Sequence, residues 1–135
     1  MDSETIEGFS KYRLNKAKET LETARMIFNE GKDFTSANNR AYYAIFYAIR
    51  AVLAIEEVDF KRHKDVLAYF NKEYVNKEKF PKKIGRKISQ AQRIREDSDY
   101  DDYEPSFEKT EQQINTAQEL IDLVEEYINN YYNKN

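Results

Sequence analysis

One short stretch of the sequence combines side chains that bind phosphates with side chains that stack on planar rings. It is NNRAYYAIFYAIRAVLAI, residues 38–55, an apolar run interrupted by arginines and tyrosines. At about 100° per residue of an α-helix, four of its polar side chains fall on one strip of the helix surface. Ser36, which lies just before the stretch, extends this strip, so that it contains Ser36, Arg40, Tyr43, Tyr47 and Arg50. Guanidiniums and phenols in one line could form a rim that faces a ligand or a second subunit. The alternative is edge packing, in which the polar tips only reach water.

A second group of candidate residues follows a basic segment. Between Lys77 and Arg95 eight basic residues are opposed only by Glu78, and EDSDYDDYE, residues 96–104, then places six carboxylates in nine positions. The basic segment could bind anions while the acidic segment repels them, or both segments could simply be solvated surfaces. Arg93 and Arg95 could hold a phosphate group beside this turn.

Cleavage of RNA by its own 2′-hydroxyl needs such a cation and also a group that takes or delivers a proton. The carboxylates near Arg93 are mostly deprotonated at neutral pH and arginine stays charged, so neither supplies that group. His63 is the only histidine of the chain, which excludes a histidine pair within one subunit. A single histidine near a helix start is more often a structural hydrogen-bonding group than a base.

The sequence contains few signals for a metal or a cofactor. There is no cysteine, and no glycine-rich phosphate loop or dinucleotide fingerprint. The acidic turn matches positions 1, 3, 5, 7 and 12 of a calcium-binding EF-hand loop, at Asp97, Asp99, Asp101, Tyr103 and Glu108. However, the glycine required at position 6 is Asp102. We therefore expect no metal site and no cofactor.

The elements that must position these groups are helices. Apolar residues recur at three- and four-residue steps from Ser10 to Glu30, and Gly31 and Asp33 are typical of a helix end and the next helix start. Similar patterns predict a second helix over residues 34–56, a third from His63 through VLAYFNKEYV, and a fourth with Pro81 in its first turn that ends near Arg95.

A fifth helix is predicted with Pro105 at its first position and a heptad-like apolar seam from Phe107 to Tyr131. Strand-like alternation is missing from the sequence. We therefore predict an all-α fold, a bundle of four or five antiparallel helices. The predicted domain spans residues 10–131, with flexible segments at 1–9 and 132–135.

Composition limits the location and the broad class of the protein. The net charge of −3 over 135 residues disfavours a generic nucleic-acid binder. The apolar run at residues 41–55 is shorter than the roughly 20 residues that span a bilayer. The first residues, MDSETIEGF, have no signal-peptide pattern. We therefore expect a cytoplasmic protein that does not bind membranes.

The second helix also carries a resemblance to a known family. NRAYYAIFYAIRAVLA, preceded by EGKDFTSA and followed by VDFKRHKDVLAYFNKEYV, resembles the HEPN domain, and in particular the small stand-alone prokaryotic HEPN proteins. RIREDSDYDDY resembles the arginine-then-acidic segment of the same proteins. The likeness extends from about Ser10 to Tyr131 and implies an up-and-down four-helix bundle with a short additional helix.

The resemblance also implies partners and a chemistry. Such proteins are usually homodimers, often encoded beside a minimal nucleotidyltransferase as a toxin–antitoxin pair. Many are metal-independent endoribonucleases with an Arg-x4-6-His motif in a cleft at the dimer interface. Paired toxins often extend the motif to Arg-x4-His-x-Tyr, in which the partner can adenylylate the tyrosine.

On this sequence the motif is incomplete. Arg93 takes the arginine place, Ser98 the histidine place and Tyr100 the tyrosine place, whereas counting from Arg95 puts Tyr100 where histidine should be. Three functions stay open. The first is a homodimeric binding module that partners a nucleotidyltransferase and holds nucleotide or RNA at a cleft, with a degenerate catalytic motif. The second is an active ribonuclease toxin, and the third a structural helical protein.

If the cleft exists, the candidate residues divide by role. Arg93, Arg95 and Tyr100 are the candidate catalytic residues, and Tyr100 is also the candidate site of adenylylation. The candidate ligand-binding residues are Arg40, Tyr43, Tyr47, Arg50, His63 and Asp99.

Overall fold

A computed structural model describes residues 2–100 and 103–133 of the chain. The helices run in the order α1 (Ser3–Glu30), α2 (Phe34–Ile55), α3 (His63–Phe70), α4 (Lys82–Asp97) and α5 (Phe107–Tyr132), and a π-helical turn (Asn71–Val75) directly continues α3. Over the described ranges the protein is therefore all-α, as predicted. The four long helices and the short α3 match the expected bundle with one additional helix.

Helix α2 lies at the centre of the bundle and packs against each of the other helices. Its apolar arc is completely buried: Ala41, Ala44, Ile45, Ala48, Ile49, Val52 and Leu53. Four small alanine side chains, counting Ala37 at the start of the helix, leave room for α1 to approach closely. The five positions of the predicted polar strip are all partly exposed instead. The helical periodicity therefore divides the core from the polar strip correctly.

Helix α1 begins earlier than its apolar pattern predicts. The side chain of Asp2 accepts a hydrogen bond from the backbone N–H of Thr5 at 2.8 Å and caps a helix that starts at Ser3, not near Ser10. Residues 3–9 are thus helical, although the sequence pattern predicts a flexible segment there. The other end agrees with the prediction, because Gly31 has a left-handed conformation (φ 72°) and Asp33 caps α2.

The α5 start also differs from the prediction. Pro105 is buried and precedes the helix, and the hydroxyl of Ser106 accepts the N-cap hydrogen bond from Lys109. The predicted seam is buried in its middle but not at its ends, since Phe107 and Tyr131 are 47% and 50% exposed. Phe107 instead joins Phe28 and Phe34 in a partly exposed aromatic cluster at one end of the bundle. In the described parts of the chain, no helix is both long and apolar enough to cross a bilayer.

Candidate functional site

Residues from three helices meet around Tyr43 on the polar strip of α2. We call this group the Tyr43 cluster. It contains residues of α2, the first residue of α3 and the last turn of α4: Arg40, Tyr42, Tyr43, Phe46, Arg50, His63 and Arg95. The packing of α2 against α3 and α4 brings these segments together. Guanidiniums and phenols from separate segments therefore do share one part of the surface.

Arg95 reaches the cluster from the C-terminal turn of α4. Its guanidinium carbon lies 5.1 Å from the ring centroid of Tyr42 and 5.8 Å from that of Tyr43, which is cation–π distance. Its ion pair with Asp99 is long, at 3.8 Å. Its Nε is buried and makes no hydrogen bond to any described residue. Arg95 thus keeps hydrogen-bonding capacity for a further acceptor.

His63 lies against the aromatic side of the same cluster. Its ring centroid is 4.1 Å from that of Phe46, and it meets the Tyr43 ring nearly at a right angle at 5.5 Å. Burial lowers the pKa of His63, and the positive charges of Arg95 and Arg50 lower it further. At neutral pH the imidazole is therefore neutral and can accept a proton.

Arg50 lies at the end of the cluster that is nearest the α2–α3 loop. Its guanidinium carbon lies 5.7 Å from the Phe46 ring, and its Nη2 pairs with Asp59 in the α2–α3 loop at 2.6 Å. Arg13 of α1 donates a hydrogen bond to the backbone carbonyl of Arg50 at 3.2 Å. Burial, and then the charge of Arg50, lowers the pKa of Arg13. The close pair with Asp59 leaves Arg50 more strongly neutralised than Arg95.

The N-terminal half of the strip adds a third cation. The guanidinium carbon of Arg40 lies 4.9 Å from the Tyr43 ring, so Tyr43 is flanked by Arg40 and Arg95. Tyr47 follows one turn later, 6.1 Å from Tyr43, and Lys16 of α1 lies over its ring at 5.5 Å. The strip is thus a row of rings with cations above them.

The structure separates two of the candidate catalytic residues from this cluster. Arg93 is exposed and lines a groove on another face of α4, with Lys82 and Arg86. Tyr100 is 73% exposed in the turn after α4. Asp99 approaches the cluster only through its pair with Arg95. Two of the carboxylates considered for calcium binding, Asp101 and Asp102, lie outside the described residues.

Sequence reasoning missed three residues of the site. Tyr42 and Phe46 were outside the predicted polar strip, yet Arg95 lies over the first and His63 over the second. Asp59, which pairs with Arg50, was not considered either. The spacing offered a partial signal, because Tyr42 and Phe46 are four residues apart and so share a helix face.

The cluster combines three properties that suit a phosphate-containing ligand. Arg40 and Arg95 supply positive charge and hydrogen-bond donors, the tyrosine rings supply stacking surfaces, and His63 supplies a neutral imidazole. Among the described residues, no group of three or more His, Cys, Asp or Glu side chains lies close enough together to bind a metal ion. The described cluster is therefore cationic and aromatic in character.

Comparison with known proteins agrees with this fold and this sequence pattern. The sequence model of the HEPN domain matches residues 10–127. A UPF0332 protein of Thermotoga maritima is 32% identical over 123 residues, 90% of this chain and 92% of that protein. Two proteins of Methanocaldococcus jannaschii are also similar. Putative toxin MJ0605 is 32% identical over 80% of each chain.

The second, Putative toxin MJ0142, is 34% identical over 65% of this chain and 59% of its own length. The family match covers the whole of α2, α3 and α4, and with them every segment that contributes to the Tyr43 cluster. The chain belongs to the HEPN domain family.

Proposed function

We propose that this protein is the HEPN half of a toxin–antitoxin-type pair and binds RNA at the Tyr43 cluster. In this proposal it acts as a homodimer, and a minimal nucleotidyltransferase is its partner. Two similar proteins of Methanocaldococcus jannaschii carry the name Putative toxin, which supports the general class. The observation that carries the proposal is that Arg40 and Arg95, from different helices, both lie over the ring of Tyr43.

That arrangement suits a nucleotide better than a simple anion. A base can stack on an exposed ring while the adjacent phosphate accepts hydrogen bonds from a guanidinium, and stacking contributes about 1–3 kcal/mol per base. Tyr43 and Tyr47 are both partly exposed, so their rings are accessible from the surface. The Nε of Arg95 is buried and makes no hydrogen bond to a described residue, so a phosphate oxygen would reach it only if the side chain moved.

The test is the affinity of the protein for a short single-stranded RNA. Arg95→Ala should weaken binding at least tenfold, because a cation and its hydrogen bonds to phosphate are lost together. Arg25→Ala is the matched control, because Arg25 is also partly buried but does not belong to the Tyr43 cluster. It donates a hydrogen bond to Gln118 of α5 at 2.8 Å. Equal affinities of the two variants would refute the proposed site.

A second candidate function is metal-independent cleavage of RNA with His63 as the proton acceptor. The observation that favours it is the lowered pKa of His63 beside Arg95. His63 would take the proton of a ribose 2′-hydroxyl as the 2′-oxygen attacks the adjacent phosphorus. The bond from phosphorus to the 5′-oxygen then breaks, and water protonates that oxygen. The products are a 2′,3′-cyclic phosphate and a 5′-hydroxyl end.

Cleavage of structured RNA in the presence of EDTA tests this second function. His63→Gln should abolish cleavage but leave RNA binding within about threefold, because glutamine keeps a polar side chain that cannot accept the proton. The wild-type rate should rise with pH below neutrality and then level off, as the neutral imidazole is the active form. Cleavage that persists in His63→Gln would exclude His63 as the proton acceptor.

A further inference from the structure

A basic groove lies outside the Tyr43 cluster, along another face of α4. It has a volume of about 440 Å³ and runs between α4 and the π-helical turn. Its basic residues are Lys82, Arg86 and Arg93, and its polar residues include Asn71 and Asn76. Positions 82, 86 and 93 recur at four and seven residues, so they occupy one face of α4. We call this surface the α4 groove.

The charges of the α4 groove are not neutralised by the part of the protein that the structure describes. Lys82, Arg86 and Arg93 form no ion pair with a described residue. By contrast, the next basic residue of the helix, Lys87, pairs with Glu119 of α5 at 2.6 Å. Lys87 is thus neutralised by α5, whereas the three basic residues that line the groove keep their charge. Unpaired cations in a concave surface concentrate positive potential there.

Gly85 determines the shape of this surface. A Cβ atom at Gly85 would lie 2.8 Å from Cγ1 of Val75 and 3.1 Å from Oδ1 of Asn71. The absence of a side chain therefore lets α4 approach the π-helical turn, and Gly85, Val75 and Asn71 all line the groove. Lys82 and Arg86 also line it, so the close approach brings the cations beside the amides of the turn.

The dimensions of the groove suit a nucleic-acid backbone. Lys82 and Arg93 are eleven residues apart on α4, which corresponds to a distance of about 16 Å at 1.5 Å per residue. A face of this length can contact several successive phosphates along one strand of a stem. At its far end the helix enters the acidic turn, where Asp97 and Asp99 would repel a longer run of phosphates.

The lining of the groove distinguishes paired from unpaired RNA. The described residues that line it include no aromatic side chain. Single-stranded RNA is usually held by stacking of its bases on aromatic rings, whereas duplex RNA is recognised through phosphates, 2′-hydroxyls and shape. Cations with amide and hydroxyl groups, such as Asn76 and Ser89, match the second mode. The groove therefore fits the backbone of a paired stem.

The α4 groove continues toward the Tyr43 cluster. A smaller cavity of about 140 Å³ shares Gly85 and Ser89 with it and extends to Lys64. Lys64 directly follows His63 in α3, and it is exposed. A stem that follows the groove past Lys64 would therefore extend toward the start of α3, where His63 lies.

We propose that the α4 groove is a second RNA-binding site, which holds the phosphate backbone of a paired stem and presents the adjoining loop to the Tyr43 cluster. The proposal rests on the proposed function for the identity of the ligand as RNA. The further proposal names a substrate class, which is an RNA hairpin and not an unstructured strand. It also names the α4 groove as the surface that selects this class.

The test compares a hairpin RNA with an unstructured RNA that carries the loop sequence alone. Lys82→Ala with Arg86→Ala should weaken hairpin binding at least tenfold at physiological salt. The slope of log affinity against log salt should fall in magnitude by about two, because about one counterion contact is lost per residue. Binding of the unstructured RNA should change less than threefold. Both side chains are exposed, so folding should be unaffected.

The matched control is Lys32→Ala with Lys83→Ala, which removes the same charge from exposed positions outside the groove. An equal loss of hairpin affinity in the control and the groove variant would overturn the proposal, as would equal losses for the two RNAs. Failure of the proposed function has a different signature. In that case Arg95→Ala leaves the binding of unstructured RNA unchanged, while the groove variant still loses hairpin affinity.

Discussion

The imidazole of His63 lies 4.1 Å from the phenyl ring of Phe46, although the two residues belong to different helices. This contact packs the start of α3 against α2, beside the polar strip. Arg95 of α4 lies over the neighbouring Tyr42 and Tyr43 rings. The only histidine of the chain is thereby placed beside an arginine that follows it by thirty-two positions. An arginine and a histidine are thus combined in space although the sequence motif that would combine them is incomplete.

The first prediction concerns the pH dependence of folding stability. The pKa of His63 is lowered below its ordinary value of 6.5 in the folded protein. The unfolded chain therefore binds more protons between the two pKa values, so the free energy of unfolding falls as the pH decreases through this window. His63→Gln should show a smaller decrease than the wild type in urea unfolding between about pH 7 and pH 5.

Lys64→Gln provides the control for this prediction. Lys64 is exposed and adjacent in sequence, so its substitution leaves His63 and the packing around it in place. The pH dependence of Lys64→Gln should therefore parallel that of the wild type. Parallel curves for the wild type and His63→Gln would instead show that His63 does not lie among the rings and cations of the Tyr43 cluster.

The second prediction concerns the close approach of α4 to the π-helical turn. Gly85→Ala should lower the free energy of unfolding by about 1–3 kcal/mol, because its Cβ would overlap Val75 and press on Asn71. Gly8→Ala is the control, since a Cβ added to Gly8 in helix α1 would have no neighbouring atom within 4 Å. That variant should gain about 0.5–1 kcal/mol from helix propensity. Destabilisation of both variants to the same extent would contradict the tight packing of Gly85 against the turn.

The fold was largely predictable from sequence because its signals are local. Apolar periodicity separated the buried arc of α2 from the polar strip, and Gly31 and Asp33 marked the first turn of the chain. The errors also have local causes. The residues before Ser10 form helix because Asp2 caps them. Helix α5 starts two residues later than predicted because the Ser106 hydroxyl caps it, which leaves Pro105 before the helix and not at its first position.

The candidate site was only partly predictable because its contacts are long-range. Periodicity placed Arg40, Tyr43 and Arg50 on one strip, but it carries no information on which loop or helix end packs beside that strip. The position of His63 against Phe46 depends on the path of the α2–α3 loop. Arg93 and Arg95 are two residues apart on α4, so they point to different faces, and only the packing of the helix decides which one meets the tyrosines.

The third prediction concerns the oligomeric state. We expect light scattering at micromolar concentration to give about twice the 16.1 kDa mass of one chain. If the polar strip of α2 forms the interface, Tyr47→Glu should produce monomers, because it introduces a charge into the contact. The fold should tolerate this change, since the new carboxylate lies near Lys16. Tyr131→Glu, at a 50% exposed position on α5, should remain dimeric. A monomeric wild type would remove the dimer cleft from the proposal.

The fourth prediction concerns modification of Tyr100 by a nucleotidyltransferase partner. Tyr100 is 73% exposed in the turn that follows α4, so its hydroxyl is open to a second protein. Transfer would join the phenolic oxygen to the α-phosphorus of ATP, with release of pyrophosphate and of the phenolic proton. After incubation with a cognate nucleotidyltransferase and ATP, mass spectrometry should show one AMP on the peptide that contains Tyr100.

The control for this modification is a second exposed tyrosine. Tyr100→Phe should lose the added mass, whereas Tyr12→Phe, at a 63% exposed position on α1, should keep it. Labelling that depends on exposure alone would modify both peptides, and AMP found only elsewhere would contradict the prediction.

The position of Tyr100 gives the modification a physical consequence for RNA binding. Arg95 pairs with the preceding residue, Asp99, at 3.8 Å. If the phosphate added to Tyr100 reaches this guanidinium, modified protein should bind single-stranded RNA more weakly than unmodified protein. Equal affinities of the two forms, measured on the same preparation before and after modification, would show that the added phosphate does not reach Arg95. Because Arg95 also lies over the Tyr43 ring, a partner that modifies Tyr100 would control the Tyr43 cluster without contacting it.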